Sequence, residues 1–266
     1  MKIIETVMIG ALMLSFSIET TRAETATAGG RTELIALVPE GVRTEVASIE
    51  KLAAPNNLTV KLQIDELSGG SAQASSQVWS YKRLDNGLIS LVKQGISDEA
   101  SDNILSACGL IDIVTARQTK MSRLAGLPIP IIETSNTDSI RKYVGLTADV
   151  TAICKPQADS TFSIEGTVSL DMNLSGTGGA RTINRQLDEK TSCHVGATPS
   201  PASTLSPQLT GDYLPVSCET SWSKLPVRRS EFVFLRDFGF YFPLSREISP
   251  TIRPSFKIRH IDLLDK

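Results

Sequence analysis

Residues 162–174 read Phe162-Ser163-Ile164-Glu165-Gly166-Thr167-Val168-Ser169-Leu170-Asp171-Met172-Asn173-Leu174. Apolar side chains and one glycine hold the even positions, and polar side chains hold the odd ones. A period of two places one face of a strand against a core and the other in water. At about 3.3 Å per residue such a strand exceeds about 40 Å if unbroken. Gly166 is the expected site of a bulge or bend.

The same alternation recurs on both sides of this stretch. Leu58, Val60, Leu62 and Ile64 mark one strand; Val144, Leu146, Ala148, Val150 and Ala152 mark another, running up to Cys154. Val78–Leu84 and Leu88–Val92 face each other across Asp85-Asn86-Gly87, where Asn-Gly supplies the positive φ angles of a tight hairpin turn. A last strand is expected over Phe256–Leu264. Phe232, Phe234, Phe238, Phe240 and Phe242 all fall on even positions, so they are expected on one face of one segment ending at Pro243. Buried, they are core; exposed, they form a candidate binding face. Burial is the preferred reading.

Helix signals are few. Val42, Val46, Ile49 and Ala53 are spaced for an amphipathic helix between Gly41 and Pro55. A second helix is expected from Ser97, with Asp98 and Glu99 in its first turn, to Cys108-Gly109. Ala197–Gly211 contains three prolines and reads as an exposed loop.

Together these signals predict a mainly β fold. A smaller α+β part covers 24–139, and an antiparallel β-sandwich-like region covers 140–266. Residues 1–23 are expected to be a secretory signal peptide: Lys2, an apolar run from Val7 to Ile18, then Thr21-Arg22-Ala23. No later stretch approaches ~20 uninterrupted apolar residues, so no integral membrane helix is expected after signal cleavage. With 41% hydrophobic and 21% charged residues the chain buries a core and is not a disordered protein. A transmembrane barrel shares the alternation, but four cysteines, an Asp265-Lys266 end, two tryptophans and four tyrosines argue against two aromatic girdles. The expected location is secreted or periplasmic.

The even cysteine count fits export and two disulfides. No C-x-x-C knuckle is present, which excludes a four-thiolate zinc site. Three connectivities exist; pairing neighbours in sequence, Cys108 with Cys154 and Cys193 with Cys218, needs the least topology.

Catalytic signatures are lacking. His194 follows a cysteine expected to be oxidised, and His260 sits in the last strand. Ser48-x-x-Lys51, Ser101-Asp102-Asn103 and Lys190-Thr191-Ser192 follow the order used by S-x-x-K acyl-transferases. However, Ser192 replaces a needed glycine, and S-x-x-K recurs at Ser90–Lys93 and Ser221–Lys224. No catalytic, cofactor or metal residue is therefore assigned. Net charge is −2, and the nine Lys/Arg of residues 224–266 are scattered, so nucleic acid is not an expected partner. The expected function is a binding or structural role at the cell envelope or outside it, in adhesion or surface-structure assembly, with a protein or glycan partner. The alternative is a secreted or periplasmic hydrolase.

Peptide mapping without reduction is predicted to recover Cys108 with Cys154 and Cys193 with Cys218. A Cys154–Cys193 or Cys108–Cys218 link would overturn this pairing.

Overall fold

The computed structural model describes residues 34–52, 59–67, 74–95, 100–125, 131–176, 179–223, 225–247 and 253–263. The expected signal peptide lies outside them. Helices α1 (Glu40–Val46) and α2 (Ile49–Leu52) come first. Strands β1 (Thr59–Leu67), β2 (Ala74–Arg83), β3 (Ile89–Gly95), β4 (Ala100–Ala107), β5 (Ile111–Ala125) and β6 (Ile131–Ala148) follow. After α3 (Val150–Cys154) come β7 (Thr161–Gly176), β8 (Gly179–Val195), a short β9 (Ser200–Pro201), β10 (Asp212–Trp222), β11 (Leu225–Leu235), β12 (Phe240–Arg246) and β13 (Ser255–Leu263).

Each strand pairs antiparallel with its sequence neighbours, except that β8 pairs β10 and β9 only flanks β10. β13 then pairs with β1, from Val60↔Leu263 to Leu67↔Ser255, and closes a barrel of twelve strands. The expected sandwich is thereby corrected to a barrel. Alternation is identical in both architectures; what separates them is whether the first and last strands meet, and that contact spans the whole chain. Closure gives each of the twelve strands a neighbour on both sides, although β12 and β13 meet only at Ser245↔Ser255. Residue 140, where the sequence pattern changes, falls inside β6, and strands from both sides of it belong to the same ring.

The inward face carries Val60, Leu62 and Ile64 of β1, Trp79 and Tyr81 of β2, Ile104 of β4, Ile164 and Val168 of β7, and Val216 of β10, all buried. The outward face carries Lys61, Gln63, Glu165, Asp188, Lys190, Glu219, Arg229 and Lys257, all exposed. Lys190–Glu165 (2.6 Å) and Arg229–Glu219 (2.9 Å) are ion pairs on that surface.

An eight-stranded barrel is just wide enough for its own side chains to fill, so twelve strands leave excess width. The end of the β11–β12 hairpin takes up that width at one end of the barrel. It is buried on both faces. Val233, Leu235, Phe240 and Phe242 pack toward β1–β4, with Tyr81 stacked on Phe240 at 4.6 Å and Trp79 at 5.8 Å from Phe242. Phe234 and Tyr241, on the opposite face, join the core of β6–β10. The Tyr241 hydroxyl donates to the Ile153 carbonyl (2.7 Å), and its backbone N–H donates to the Cys108 carbonyl (2.9 Å). In turning inward β12 leaves β13, and the two share a single pair, Ser245↔Ser255.

The phenylalanine run is therefore corrected from one strand to two. Residues 236–239 form a turn, with Gly239 at φ +63°, where other residues are strained. Phe234, Phe238, Phe240 and Phe242 are buried, and Phe232 is half-buried. The second expected helix is likewise corrected: residues 100–107 form β4, paired with β3 and β5. Ile104, Leu105, Ser106 and Ala107 are all buried, so both faces of this strand are covered and the alternation disappears. Leu105 shares its cluster with Val42, Val46 and Ile49 of the helices. Gly166 does not bend β7. A Cβ there would lie 2.4 Å from the Gly145 carbonyl oxygen, and the Tyr143 ring occupies the side-chain space; the irregularity falls in β6 between Tyr143 and Gly145.

Two disulfides pin this arrangement. Cys108–Cys154 ties the β4–β5 turn to α3, and Cys193–Cys218 joins directly paired residues of β8 and β10. Closing loops of this size contributes ~3–4 kcal/mol each in the chain-entropy picture.

Phe240→Ala and Phe234→Ala are each predicted to cost ~3–5 kcal/mol by chemical denaturation. Val227→Ala, on the exposed start of β11, is predicted to stay within about 0.5 kcal/mol. Equal, small effects at all three positions would disprove the inturned hairpin.

Candidate functional site

Charged residues on the inward face are the unusual feature of this barrel, because each sits where the alternation calls for an apolar side chain. They form two groups. In the first, Glu189 of β8 is 7% exposed and accepts from the Tyr143 hydroxyl, from Arg141 Nη2 (2.7 Å) and from Trp222 Nε1 (2.8 Å). Arg141 also donates to the Asp112 carbonyl (3.0 Å), and Arg228 lies 4.9 Å over the Trp222 ring. Burial works to raise the Glu189 pKa, but Arg141 and the hydrogen bonds of Tyr143 and Trp222 outweigh it and hold the carboxyl below its ordinary value. Burial and the neighbouring Glu189 charge push the Tyr143 phenol up. Every strong group in this cluster is satisfied, which is the condition for a buried charge to be tolerated.

The second group lines a cavity of about 360 Å³ at the end of the barrel away from the inturned hairpin. Its wall comes from the end of β1 (Glu66), the start of β2 (Gln77, Trp79), the end of β3 (Lys93), β4 (Asp102), β5 (Arg117), β12 (Arg246) and β13 (Phe256). Antiparallel up-and-down topology brings alternate strand ends to one mouth, which is why distant residues converge here. Arg117 holds Asp102 through two bonds, 2.6 and 2.7 Å, and this pairing raises its pKa further. Glu66 accepts from Gln77, whose carbonyl accepts from Trp79 Nε1 (2.7 Å). The Lys93 ammonium lies 4.1 Å over the Trp79 ring, whose centroid is 5.1 Å from that of Phe256. Burial pushes the Lys93 pKa below its ordinary value; Arg246 and Arg117 push the same way, while Asp112 and Asp102 oppose them. Among the described residues, no carboxylate forms an ion pair with Lys93 or Arg246.

A larger cavity of about 410 Å³ lies at the opposite end, beside the Cys108–Cys154 disulfide and Phe234. Its buried cation, Arg83, is committed to the Phe238 carbonyl (2.6 Å). Among the described residues there is no cluster of His, Cys, Asp or Glu that fits a metal ion.

The S-x-x-K elements do not meet. Ser101 lies on the outward face of β4, and Lys190, also outward and paired with Glu165, lies on β8, four places round the ring from it. Ser48 follows α1, away from both. His194 is exposed on β8, and His260 bonds Gln208 (3.0 Å) and Asp262 (2.9 Å). Sequence reasoning passed over Lys93, Arg117, Arg141 and Glu189. The signal was present: each is a charge on the same strand face as apolar residues, as Lys93 is with Leu91. No protein family, curated protein or solved structure matches the chain.

Glu189→Gln is predicted to cost about 1–3 kcal/mol, since it leaves the half-buried Arg141 without its ion-pair partner. Because the folded-state pKa of Glu189 is depressed, its stabilisation is complete above the ordinary carboxylate value, about 4.3, and is lost as pH falls through the folded value. A stability–pH curve for the variant should therefore lose part of the parent's acid-side slope. An unchanged slope would mean that Glu189 is not held as the anion.

Proposed function

We propose that the chain works outside the cytoplasm as a non-enzymatic binding protein that takes a small ligand into the barrel at the end away from the inturned hairpin. The observation that carries this reading is the cavity among Trp79, Lys93, Arg246 and Phe256: concave, walled by aromatic rings, and supplied with a few converging charges. Its volume of about 360 Å³ falls in the range of small-molecule sites. Two disulfides support an oxidising compartment. The polar outward face supports a soluble barrel, because lipid-facing walls need an apolar band.

A second reading, a protein or glycan partner in adhesion or surface assembly, is favoured by one observation. β5–β8 are about twice as long as β1–β4, and the first half of β8 (Gly179, Arg181, Thr182, Asn184, Arg185) is exposed on both faces. The buried phenylalanines do not supply that partner surface while the barrel is intact. A hydrolase finds no support, since its candidate residues lie apart.

The test uses N-phenyl-1-naphthylamine, a neutral dye that brightens in apolar sites, with the parent and with Ala100→Phe, which narrows the cavity from β4. Enhancement in the parent and its loss in a variant of unchanged melting temperature is the expected result. Equal enhancement in both would rule out the lumen as the site.

A further inference from the structure

We infer that the lumen cavity selects an organic anion, a carboxylate on a flat apolar body, and that Lys93 and Arg246 are its anchors. This rests on the lumen-binding reading and deepens it. The argument is one of charge and shape. Of the three cations lining the cavity, Arg117 is neutralised by Asp102 through a two-bond fork. Of the two carboxylates, Asp102 is thus occupied, and Glu66 accepts from the neutral Gln77 amide, so the lining keeps one net positive charge. Lys93 is half-buried and Arg246 exposed at the rim; they repel each other, Asp112 and Asp102 attract Lys93, and among the described residues neither cation forms an ion pair. Burial outweighs the attraction of Asp112 and Asp102 at Lys93, and an anion bound against its ammonium offsets that desolvation.

Shape names the rest of the ligand. Lys93 sits over the face of Trp79, and Phe256 stands against the same indole. An anion reaching Lys93 therefore passes along aromatic surface, which favours a planar apolar body over a bare inorganic ion. The cavity lies at the small end of ligand sites, which limits that body to about two fused rings. A guanidinium at Arg246 supplies planar donors suited to a carboxylate. Phosphate monoesters share the charge but bring a second negative charge for which Glu66 and Asp102 are poor neighbours.

The test titrates 2-naphthoate and its neutral counterpart 2-naphthamide into the whole mature protein by calorimetry. Tryptophan fluorescence gives a second readout from Trp79. Naphthoate is expected to bind about tenfold or more tighter than the amide. Lys93→Met should erase that preference while leaving amide affinity within about threefold, and Arg246→Gln should reduce it. The preference should also shrink with added salt. Lys93→Met removes a half-buried charge that forms no ion pair among the described residues, so its melting temperature should stay close to the parent's, which separates lost binding from lost folding. Equal affinity for the two probes overturns the anion assignment and leaves lumen binding standing. So does a preference that survives Lys93→Met. Naphthoate binding weaker than about 1 mM overturns the assignment as well, and N-phenyl-1-naphthylamine enhancement, or its absence, then decides the lumen reading separately.

Discussion

A twelve-strand ring is too wide for its own side chains to fill, and the rest of this structure follows from how that width is used. At one end the β11–β12 hairpin turns inward and is buried on both faces, so the interior divides into two apolar clusters with the hairpin between them. The aromatic contacts Tyr81–Phe240 and Trp79–Phe242 hold one side, and Tyr241 bonded to α3 and to the β4–β5 turn holds the other. The inward turn has a consequence at the seam. β12 cannot both enter the lumen and run along β13, so the two share one pair, and the Ile261 N–H of β13 donates instead to the Gln208 side chain (2.9 Å). At the other end the described residues leave the cavity of about 360 Å³, the unfilled remainder of the same excess width.

The interior charges divide by whether their bonds are complete. Glu189, on β8, draws three donors from two other strands, β6 and β10, so the cluster works as a rivet across the tall side of the barrel. Such a network stabilises because nothing in it is left over, and removing any member exposes the rest to desolvation cost. Lys93 and Arg246 are the opposite case. Both groups lie on the same inward face, are built from the same residue types, and sit at different distances from the open end. Depth and pairing, not composition, separate a structural cluster from a candidate site.

Much of the wall was legible in the sequence because period two is a local property. The alternation of 162–174 became β7, the Asp85-Asn86-Gly87 turn joined β2 to β3, and Phe256–Leu264 anticipated β13. What failed was what local pattern cannot carry. Parity misled at the phenylalanines: the turn 236–239 has four residues, so Phe234 and Phe240 keep the same parity although the chain reverses between them. The register pairs Phe234 with Tyr241 and Leu235 with Phe240, which puts the two phenylalanines on opposite faces. β4 failed for a different reason. Helices cover its outward side, so Leu105 and Ala107 are as buried as Ile104, and a strand covered on both faces shows no alternation. The cavity was hidden because its residues come from seven strands whose order round the ring depends on the β13–β1 closure.

Closure also bears on the membrane question, since an even-numbered antiparallel meander is the topology of outer-membrane barrels too. Alternation alone is symmetric: it says that one face is apolar without saying which way it points. The register resolves the direction. Trp79, Tyr81, Leu62 and Ile64 point inward, while Lys61, Gln63, Glu165, Lys190 and Arg229 point out along strands that run the height of the wall. Each Lys or Arg facing the middle of a bilayer costs about 2–4 kcal/mol, and here they recur around the ring with Asp and Glu between them. A lipid-embedded barrel keeps its polar side chains on the lumen side and its apolar band outside; this barrel has the reverse polarity. With its polar face outward and an aromatic, partly charged face inward, the barrel places Lys93 over Trp79 within the cavity on which the proposed binding role rests.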